Sequence, residues 1–488
     1  MANLEAQASP LAAPASLINF NVRVPVLIPL MLAGLVLRLA LASIHGFGID
    51  TGTFQSWAGS LSHDGPWNFY KPDTFTDYAP GYMYVLLVIG EMDKLLHFTN
   101  HQWEYVLKLP SIVADLGSAY LLYRMLDKEK AAVQLAATAI YLFFPCALLV
   151  GAVWGQVDSI LAFFLLMTVY FIGREKPVAG AVAYTIGFLI KPQAIAALPF
   201  LAFWIVRQHP IKFRSDGAPQ VPRVLLECIV VPLALTLILV TPFFELQPWK
   251  LIHQLYQATN VSNYRVNSFW AYNFWNTGGV FKMGFKCDLA GACPLGDGSG
   301  GTAAATKFLG ISTRFWSLAL LATALVSIIM LLRNARSTGY LALGTALSTL
   351  AFYILLTRMH ERYVFPFFLP FLLACALLKS RALWAAFFAT TIIHLLNLYQ
   401  VFGYYYFFND KESAGFPNFL RIPTLYNWLQ GRVFSVKTPV FGNLTNLPII
   451  GGMETIQLMS ILFVTAFVAL LAWTYLVAGQ RRRPAEAA

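Results

Sequence analysis

GFGIDTGTFQSWAGSLSHDGPWNFYKPDTFTDYAP, residues 46–80, follows the first apolar run of the chain and is too polar to cross a membrane. Four aspartates occur in it: Asp50, Asp64, Asp73 and Asp77. After Asp50, apolar residues recur with the i, i+3, i+4, i+7 spacing of one helix face: Phe54, Trp57, Ala58 and Leu61. We therefore expect a short helix lying in the membrane interface, with Asp50 at or just before its N-terminus. The other three aspartates are expected to be solvated turn residues.

The composition identifies a polytopic membrane protein. Hydrophobic residues make up 58% and charged residues 12% of the 488 residues, about half the charged fraction of a soluble protein. The net charge is +11, but the basic residues lie in short clusters between apolar runs. Orientation in a membrane explains these clusters better than nucleic-acid binding does. The N-terminus lacks the pattern of a cleaved signal, so we expect the first apolar run to remain as a span.

Apolar runs of about the length that crosses a bilayer predict about twelve transmembrane helices. Ten of them are single runs: 24–44, 105–126, 132–150, 158–173, 223–243, 313–333, 338–357, 364–378, 382–401 and 457–478. Two shorter halves between Pro177 and Arg207, interrupted at Lys191-Pro192-Gln193, are expected to form a helical hairpin. The apolar run 81–89 is too short to span, so we expect a juxtamembrane or re-entrant helix there, belonging to the first outer loop.

Charge sets the orientation of these spans. With the N-terminus inside, every inner connection is basic, as the positive-inside rule requires. Both termini are therefore expected to be cytoplasmic, with outer loops at 46–104, 244–313 and about 402–454. The predicted organisation is a cytoplasmic tail (1–23), a transmembrane catalytic module (24–401), an outer loop with the last span (402–478) and a basic cytoplasmic tail (479–488).

Three residues have environments that composition and spacing leave open. Cys287 and Cys293 share one outer loop, where an oxidising compartment would allow a small disulfide. Their spacing is not that of a zinc site. Arg38 lies inside the first apolar run, where a long cationic side chain is expected to snorkel to the membrane surface.

Polar residues at the outer turns form the candidate site, because ionisable groups this close to hydrocarbon are costly and usually functional. Three cations are expected on this face: Lys191, Arg358 and Arg362. Arginine suits a phosphate because its planar fork donates two hydrogen bonds at once. An outer carboxylate opposite a phosphate site predicts glycosyl transfer, in which Asp50 takes the proton of an acceptor hydroxyl. The cations would stabilise the departing phosphate, and a single carboxylate gives inversion at the anomeric carbon.

Structural roles for the same residues stay open. Asp50 and Asp158 can cap the N-termini of helices. Lys191 can pair with a carbonyl freed by the proline that follows it. Arg358 and Arg362 can snorkel from a helix end, and aromatic residues such as Trp270 can belong to an interfacial belt.

A secondary transporter or flippase, for a lipid-linked or small anionic solute, is the alternative function. Transporters share the span count and the interrupted helices, but they show internal repeats and ionisable residues near the membrane midplane. The sequence shows no repeat, and we expect its ionisable residues at one end of the spans. A scaffold without catalytic activity is a further alternative.

Several motifs give the chain a resemblance to a known family. In chain order they are Asp50 with Phe54, Trp57 and Ala58; Tyr78-Ala79-Pro80-Gly81; Trp154-Gly155-Gln156-Val157-Asp158; Lys191-Pro192-Gln193; Asn273-Phe274-Trp275; and His360-Glu361-Arg362-Tyr363. Their order and spacing resemble the GT-C superfamily of polyprenyl-phosphate-sugar-dependent glycosyltransferases, over the chain from about Arg38 to Pro366. The resemblance is to the branch with the dolichyl-phosphate-glucose-dependent enzymes of lipid-linked oligosaccharide assembly and the second mannosyltransferase of glycosylphosphatidylinositol synthesis.

The resemblance implies an all-α integral membrane enzyme that transfers a mannose- or glucose-type hexose from a polyprenyl phosphate. It assigns the catalytic base to Asp50. The expected donor-phosphate ligands are Arg362, His360, Lys191 and Arg358. The expected sugar or acceptor ligands are Asp158, Gln156, Trp154, Asn267, Trp270 and Glu361.

Departures from the family pattern limit what else is implied. Thr51 stands where some families carry a second acidic residue, so a divalent metal is doubtful and no metal ligand is assigned. Ala79 replaces a common proline in the turn before Pro80. We expect a monomer whose partners are membrane lipid, the lipid-phosphate sugar donor as co-substrate, and a glycan or lipid acceptor. The membrane is expected to be the prokaryotic cell membrane or the endoplasmic reticulum, with the active site on the outer or lumenal face.

Overall fold

A computed structural model describes residues 24–71, 76–213, 215, 217–254, 267–277, 307–408, 435–436, 444–445 and 455–480. Several sequence-based expectations concern residues outside these ranges. They include both predicted cytoplasmic tails apart from 479–480, most of the loop 402–454, Asp73, and the pair Cys287 and Cys293. The division into segments at 23, 401 and 478 stays a prediction.

Helices account for most of the described chain. In order they are α1 Val24–Ala42, α2 Gly48–Asp64, α3 Pro80–Leu96, α4 Asn100–Met125, α5 Ala131–Leu142, α6 Pro145–Ala147, α7 Asp158–Gly173, α8 Pro177–Ile190, α9 Leu198–Gln208, α10 Arg223–Val240, α11 Thr313–Leu332, α12 Thr338–Leu355, α13 Phe365–Leu378, α14 Arg381–Phe408 and α15 Thr455–Gln480. A π-helix, Leu148–Trp154, follows α6. Short 3₁₀ turns are Pro66–Asn68, Pro192–Ala196, Thr241–Phe243, Phe274–Asn276 and Glu361–Val364.

Strands in the described residues are two residues long and form four pairs. They are β1 Lys212–Phe213, β2 Pro219–Gln220, β3 Ser268–Phe269, β4 Lys307–Phe308, β5 Ile311–Ser312, β6 Met359–His360, β7 Ser435–Val436 and β8 Leu444–Thr445. Antiparallel pairs join β1 to β2, β4 to β5 and β7 to β8. The parallel pair β3–β6 joins residues about 90 positions apart, with Ser268 opposite Met359 and Phe269 opposite His360.

The described helices include nine that are long and apolar enough to cross a membrane, and three shorter apolar helices accompany them. The three shorter ones are α7, α8 and α9. Each corresponds to an apolar run identified in the sequence, so the predicted all-α integral membrane architecture is confirmed. Nine of the about twelve predicted spans are long enough among the described helices, and the crossing of the three shorter ones stays a prediction. The orientation, with both termini cytoplasmic, stays a prediction from the charge pattern.

The opening loop folds into a helical hairpin of α2 and α3. The face predicted from the apolar spacing in α2 is buried, and the Phe54 ring contacts the rings of Tyr78 and Tyr82 at 5.8 and 5.3 Å. At Gly90 of α3, an added Cβ would lie 2.3 Å from the carbonyl oxygen of Ala58, so the two helices touch there. The aromatic face of α2 therefore packs on α3, and the expected position of this helix in the membrane interface stays a prediction.

A buried ion pair joins α1 to α4 within the spans. Arg38 is fully buried, and its Nε lies 3.0 Å from Oδ2 of Asp115. The hydroxyl of Tyr141 donates to Oδ1 of Asp115 at 2.9 Å. The expectation that Arg38 snorkels is wrong, because its side chain is buried in this pair. Pairing keeps both charges buried where an isolated charge would be too costly.

Candidate active site

Asp50 lies in the first turn of α2, and its carboxylate faces the end of the π-helix. The indole Nε1 of Trp154 donates to Oδ2 of Asp50 at 2.8 Å. The N-cap position of α2 is Phe47, so Asp50 does not cap the helix with its side chain. Gly155, with φ of 90°, ends the π-helix directly after Trp154. Such π turns occur often at functional sites, and this one directs a buried indole at the predicted base.

Arg362 is the predicted phosphate ligand that the fold brings to Asp50. Its NH2 group lies 3.8 Å from Oδ1 of Asp50, and its NH1 group lies 2.9 Å from Oε1 of Glu361. The guanidinium stands over the rings of Trp154 and Tyr363, at 5.7 and 5.9 Å from their centroids. Its Nε is buried and has no hydrogen-bond partner among the described residues. A ligand oxygen would satisfy that donor.

The loop from Asn267 holds the segment that leads into Arg362. Arg358 adopts a left-handed φ of 66°, and its backbone N–H donates to the Asn267 carbonyl at 3.0 Å. The side chain of Asn267 is fully buried and accepts a hydrogen bond from Thr313 Oγ1 at 2.9 Å. Asn267 and the backbone of Arg358 therefore contribute to holding the strand pair β3–β6. Their predicted roles in ligand binding stay predictions.

A buried polar network at the same loop was not anticipated. The Asn397 side chain donates to the Trp270 carbonyl at 2.6 Å and accepts from the Tyr353 hydroxyl at 3.0 Å. The backbone N–H of Tyr272 also donates to Tyr353 and Asn397, at 2.9 and 3.3 Å. The backbone of Trp270 forms an isolated antiparallel β-bridge with the backbone of His360. A polar residue in an apolar run, here Asn397 within α14, is the sequence signal that identifies such an anchor.

Lys191 and Asp158 are paired with each other. The Lys191 ammonium lies 2.8 and 2.9 Å from the two carboxylate oxygens of Asp158, and both side chains are buried. The rings of Tyr78 and Tyr363 face the ammonium at 5.8 and 5.3 Å. Neither proposed structural alternative holds: Asp158 follows the N-cap residue Val157, and the ammonium binds a carboxylate instead of a freed carbonyl. A ligand phosphate would have to compete with Asp158 for this cation.

Gln156 connects the π-helix turn to the α2–α3 hairpin. It is fully buried, and its Oε1 accepts from the Tyr78 hydroxyl at 3.3 Å. Its carbonyl accepts from Ser111 Oγ at 2.6 Å. The side-chain Nε2 has no hydrogen-bond partner in the described part of the chain. A hydroxyl-bearing ligand is one way to satisfy this buried donor.

Asp77 belongs to this site, although the sequence analysis placed it among solvated turn residues. Burial raises the pKa of Asp77 to about 6, and the Asp50 carboxylate acts in the same direction. A backbone hydrogen bond, Arg362 and Lys191 lower that pKa, so all three charged groups are close enough to interact with it. The sequence contains a signal for this position, because Asp77 directly precedes the Tyr78-Ala79-Pro80-Gly81 motif of the candidate site. Asp64, by contrast, is exposed and pairs with Lys71 at 3.1 Å.

His360 lies beside these charges as a neutral group. Burial lowers the pKa of His360 and the Arg362 charge lowers it too, against the raising effect of Glu361. Its Nδ1 is 3.8 Å from Oε2 of Glu361, which is itself buried. Histidine here is therefore a hydrogen-bonding group at neutral pH and adds no positive charge.

The arrangement combines carboxylates and cations at one partly buried place. Asp50, Asp77 and Glu361 all interact with Arg362, while Lys191 pairs with Asp158 beside them. The described residues contain no group of three or more His, Cys, Asp or Glu side chains placed to bind a metal ion. Chemically, the cluster has a carboxylate to accept a proton and a guanidinium to stabilise an anion a few ångströms away.

Comparison with known proteins gives one family. The model of the ALG6, ALG8 glycosyltransferase family matches residues 90–483, which is most of the chain. The matched part includes Trp154, Lys191 and Arg362, and it begins after α2, so Asp50 and Asp77 precede it. No curated protein matches the chain.

Proposed function

The chain belongs to the ALG6, ALG8 glycosyltransferase family, and from this membership we propose that it transfers a hexose from a polyprenyl-phosphate donor. Being a membrane-embedded glycosyltransferase, it is an enzyme, and the transporter and scaffold alternatives are set aside. Membership favours a glucose-type sugar on a dolichyl-type phosphate over a mannose-type sugar. The proposed acceptor is a hydroxyl of a lipid-linked or other glycan, on the outer or lumenal face of the membrane. The protein is proposed to act as a monomer.

The approach of Asp50 to Arg362 is the observation that supports this mechanism most directly. The two side chains come from distant parts of the chain and lie 3.8 Å apart in a partly buried cluster. We propose that Asp50 takes the proton of the acceptor hydroxyl as its oxygen attacks the anomeric carbon. The bond from that carbon to the phosphate oxygen breaks, and its electron pair leaves with the phosphate. Attack opposite the leaving group gives inversion.

Arg362 is proposed to stabilise the negative charge that grows on the phosphate. Its unpartnered Nε supports this role, since the guanidinium retains a donor while NH1 and NH2 face carboxylates. His360, as a neutral imidazole, would add a hydrogen bond to the phosphate. Lys191 would leave the Asp158 carboxylate and bind the phosphate in its place. Gln156, with its unpartnered Nε2, is proposed to bind a sugar hydroxyl. Trp154, Asp158, Glu361 and the loop of Asn267 and Trp270 would shape the surrounding pocket.

Asp77 is a second candidate for the base. Its pKa of about 6 lies near neutral pH, where a general base is most effective. Asp50 has the direct contact with Arg362 and the Trp154 hydrogen bond, which fix its position. We therefore assign the base to Asp50 and the binding of an acceptor hydroxyl to Asp77.

The experiment measures release of free polyprenyl phosphate from a panel of polyprenyl-phosphate sugars by purified protein in detergent. Asp50→Asn should reduce kcat about 10²- to 10⁴-fold, the usual contribution of a general base. Asp64→Asn is the matched control, because it changes an exposed aspartate of the same helix. A folded Asp50→Asn protein with the kcat of this control would refute the assignment. If Asp77→Asn alone lost that much kcat, the base would be Asp77.

A further inference from the structure

Two ionisable side chains on one face of α4 hold the short connection between α1 and α2. The Glu104 carboxylate accepts from the backbone N–H of Gly46 at 3.0 Å and lies 2.5 Å from Nδ1 of His45. One turn further along α4, the Lys108 ammonium donates to the carbonyls of Ala42, at 3.0 Å, and Ile44. Three of these four contacts bind the connection through its backbone, and the fourth binds the His45 side chain.

Lys108 is the more unusual of the two residues. It is fully buried, and no carboxylate of the described residues lies within salt-bridge distance of its ammonium. A buried charge is costly unless its hydrogen bonds are satisfied. Here the acceptors are carbonyls at the C-terminus of α1, where the helix leaves carbonyls without partners and its dipole is negative. The Lys108 ammonium thus lies at the C-terminus of α1, where its hydrogen bonds end the helix and hold the turn that follows.

This turn leads directly to Asp50. The backbone N–H of Phe47 donates to the Trp154 carbonyl at 3.1 Å, and the two rings stack at 4.7 Å. The Phe47 carbonyl then accepts from the backbone N–H of Asp50 at 2.9 Å, and the Trp154 indole donates to the Asp50 carboxylate. Asp50 is therefore held through its backbone by Phe47, which directly follows the connection, and through its side chain by Trp154, which Phe47 contacts.

The connection has almost no room to shift. A Cβ added at Gly46 would lie 2.8 Å from Cγ2 of Thr51, 3.1 Å from the Trp154 carbonyl oxygen and 3.3 Å from Cε of Lys108. The side chain of the same lysine therefore borders Gly46, together with Thr51 and Trp154. Any larger residue at this position would separate α4, the connection and the π-helix turn.

We propose that Lys108 is a positioning residue for the glycosyl transfer, which sets the depth and direction of Asp50 by fixing the connection 42–46. This inference rests on the proposed function, in which Asp50 is the base. It does not involve the groups assigned to the donor phosphate. Loss of the Lys108 ammonium should therefore affect the chemical step more than donor binding.

The test is steady-state kinetics of Lys108→Met, which keeps the length of the side chain and removes its charge. We expect kcat to fall at least about tenfold, because misplacing a catalytic group by about 1 Å typically costs about 10²-fold. The KM for a polyprenyl-phosphate sugar should stay within about threefold of the wild-type value. A purely structural role would instead lower the folded fraction and leave the kcat of the folded enzyme unchanged, which would overturn the proposal.

A second variant avoids changing a buried charge. Gly46→Ala wedges the connection away from Trp154 and should show the same drop in kcat at near-constant KM. Gly52→Ala is its matched control, because Gly52 lies in the helix that follows the connection, α2, and a Cβ there meets nothing within 4 Å. If folded Gly46→Ala has the kcat of Gly52→Ala, the proposal is wrong, even where Lys108→Met does not fold. Asp50→Asn is measured in parallel: retained activity there would reject the base assignment, a separate failure.

Discussion

The indole N–H of Trp154 and the carboxylate of Asp50 form a hydrogen bond of 2.8 Å between residues 104 positions apart. Trp154 is fully buried, and its ring contacts both the Phe47 ring and the guanidinium of Arg362. The tryptophan predicted to contact a sugar thus contacts the predicted base and the predicted phosphate ligand. Trp154 therefore connects the group proposed to accept the proton with the group proposed to bind the phosphate.

Replacing Trp154 by phenylalanine should slow the reaction without removing the ring stack on Phe47. A hydrogen bond to a charged group contributes about 1.5 to 3 kcal/mol, so we expect kcat to fall roughly 10- to 100-fold. Trp204→Phe is the control, because Trp204 is equally buried and its Nε1 has no partner among the described residues. Equal kcat values for the two folded variants would contradict a role for the Trp154 N–H.

Asp77 should make stability depend on pH. Its carboxyl has a pKa of about 6 in the folded protein against 3.8 ordinarily, so the folded state binds the proton more tightly. Between about pH 4 and pH 6 the folded protein holds more protons than the unfolded one, and stability falls as pH rises. Asp77→Asn should remove this fall and stabilise the protein at pH 7 by up to about 3 kcal/mol.

Thermal unfolding of wild-type and Asp77→Asn protein in detergent, at pH 4.5 and pH 7.5, measures this effect. The difference between the two proteins should be largest at pH 7.5 and small at pH 4.5. Asp64→Asn, which changes an exposed aspartate, should follow the wild type at both values. Parallel pH dependence of wild type and Asp77→Asn would show that burial of Asp77 does not affect its titration.

The buried pair of Lys191 and Asp158 predicts a compensating double mutant. Lys191→Met leaves the Asp158 carboxylate buried without its cation, which should cost about 3 to 5 kcal/mol. Lys191→Met with Asp158→Asn removes both charges and should recover most of that stability. If Lys191 also binds donor phosphate, the double mutant stays impaired in KM for the donor. Recovery of stability together with a wild-type KM would limit Lys191 to a structural role.

A larger residue at Gly81 should disturb the packing of α3 against α8 beside the site. A Cβ at Gly81 would lie 2.5 Å from the carbonyl carbon of Leu189 and 2.7 Å from the backbone nitrogen of Ile190. Gly81→Ala must therefore separate α3 from the end of α8, where Lys191 follows, and should cost at least about 1 kcal/mol. Gly59→Ala is the control, since its Cβ meets nothing within 4 Å and should stabilise α2 by about 0.5 to 1 kcal/mol. Denaturation midpoints that move together would disprove this close contact.

The membrane helices were predictable because hydropathy is a local property of the sequence. Every apolar run named from the sequence corresponds to a helix, and the amphipathic spacing of Phe54 and Trp57 identified the buried face of α2. The same spacing did not reveal what covers that face. Interfacial lipid and a second helix both accept apolar side chains, so the choice depends on how α3 packs.

The candidate site was only partly predictable for a related reason. Asp50 and Arg362 were expected to meet, and they do, at 3.8 Å. The partners of Asp77, Arg38 and Asn397 were missed because they come from other helices and depend on tertiary packing. A lone polar residue in an apolar run indicates that it has a polar partner, but the spacing along its own helix does not identify that partner residue.

The pairing of Lys191 with Asp158 has a consequence for selectivity. Any phosphate that binds Lys191 must first separate it from this internal counter-ion, and that work weakens every such ligand equally. Small water-soluble phosphates have little other surface with which to offset it. A molecule with a long hydrocarbon chain gains additional binding energy in the bilayer, so internal counter-ions of this kind favour membrane-borne phosphates over those free in solution.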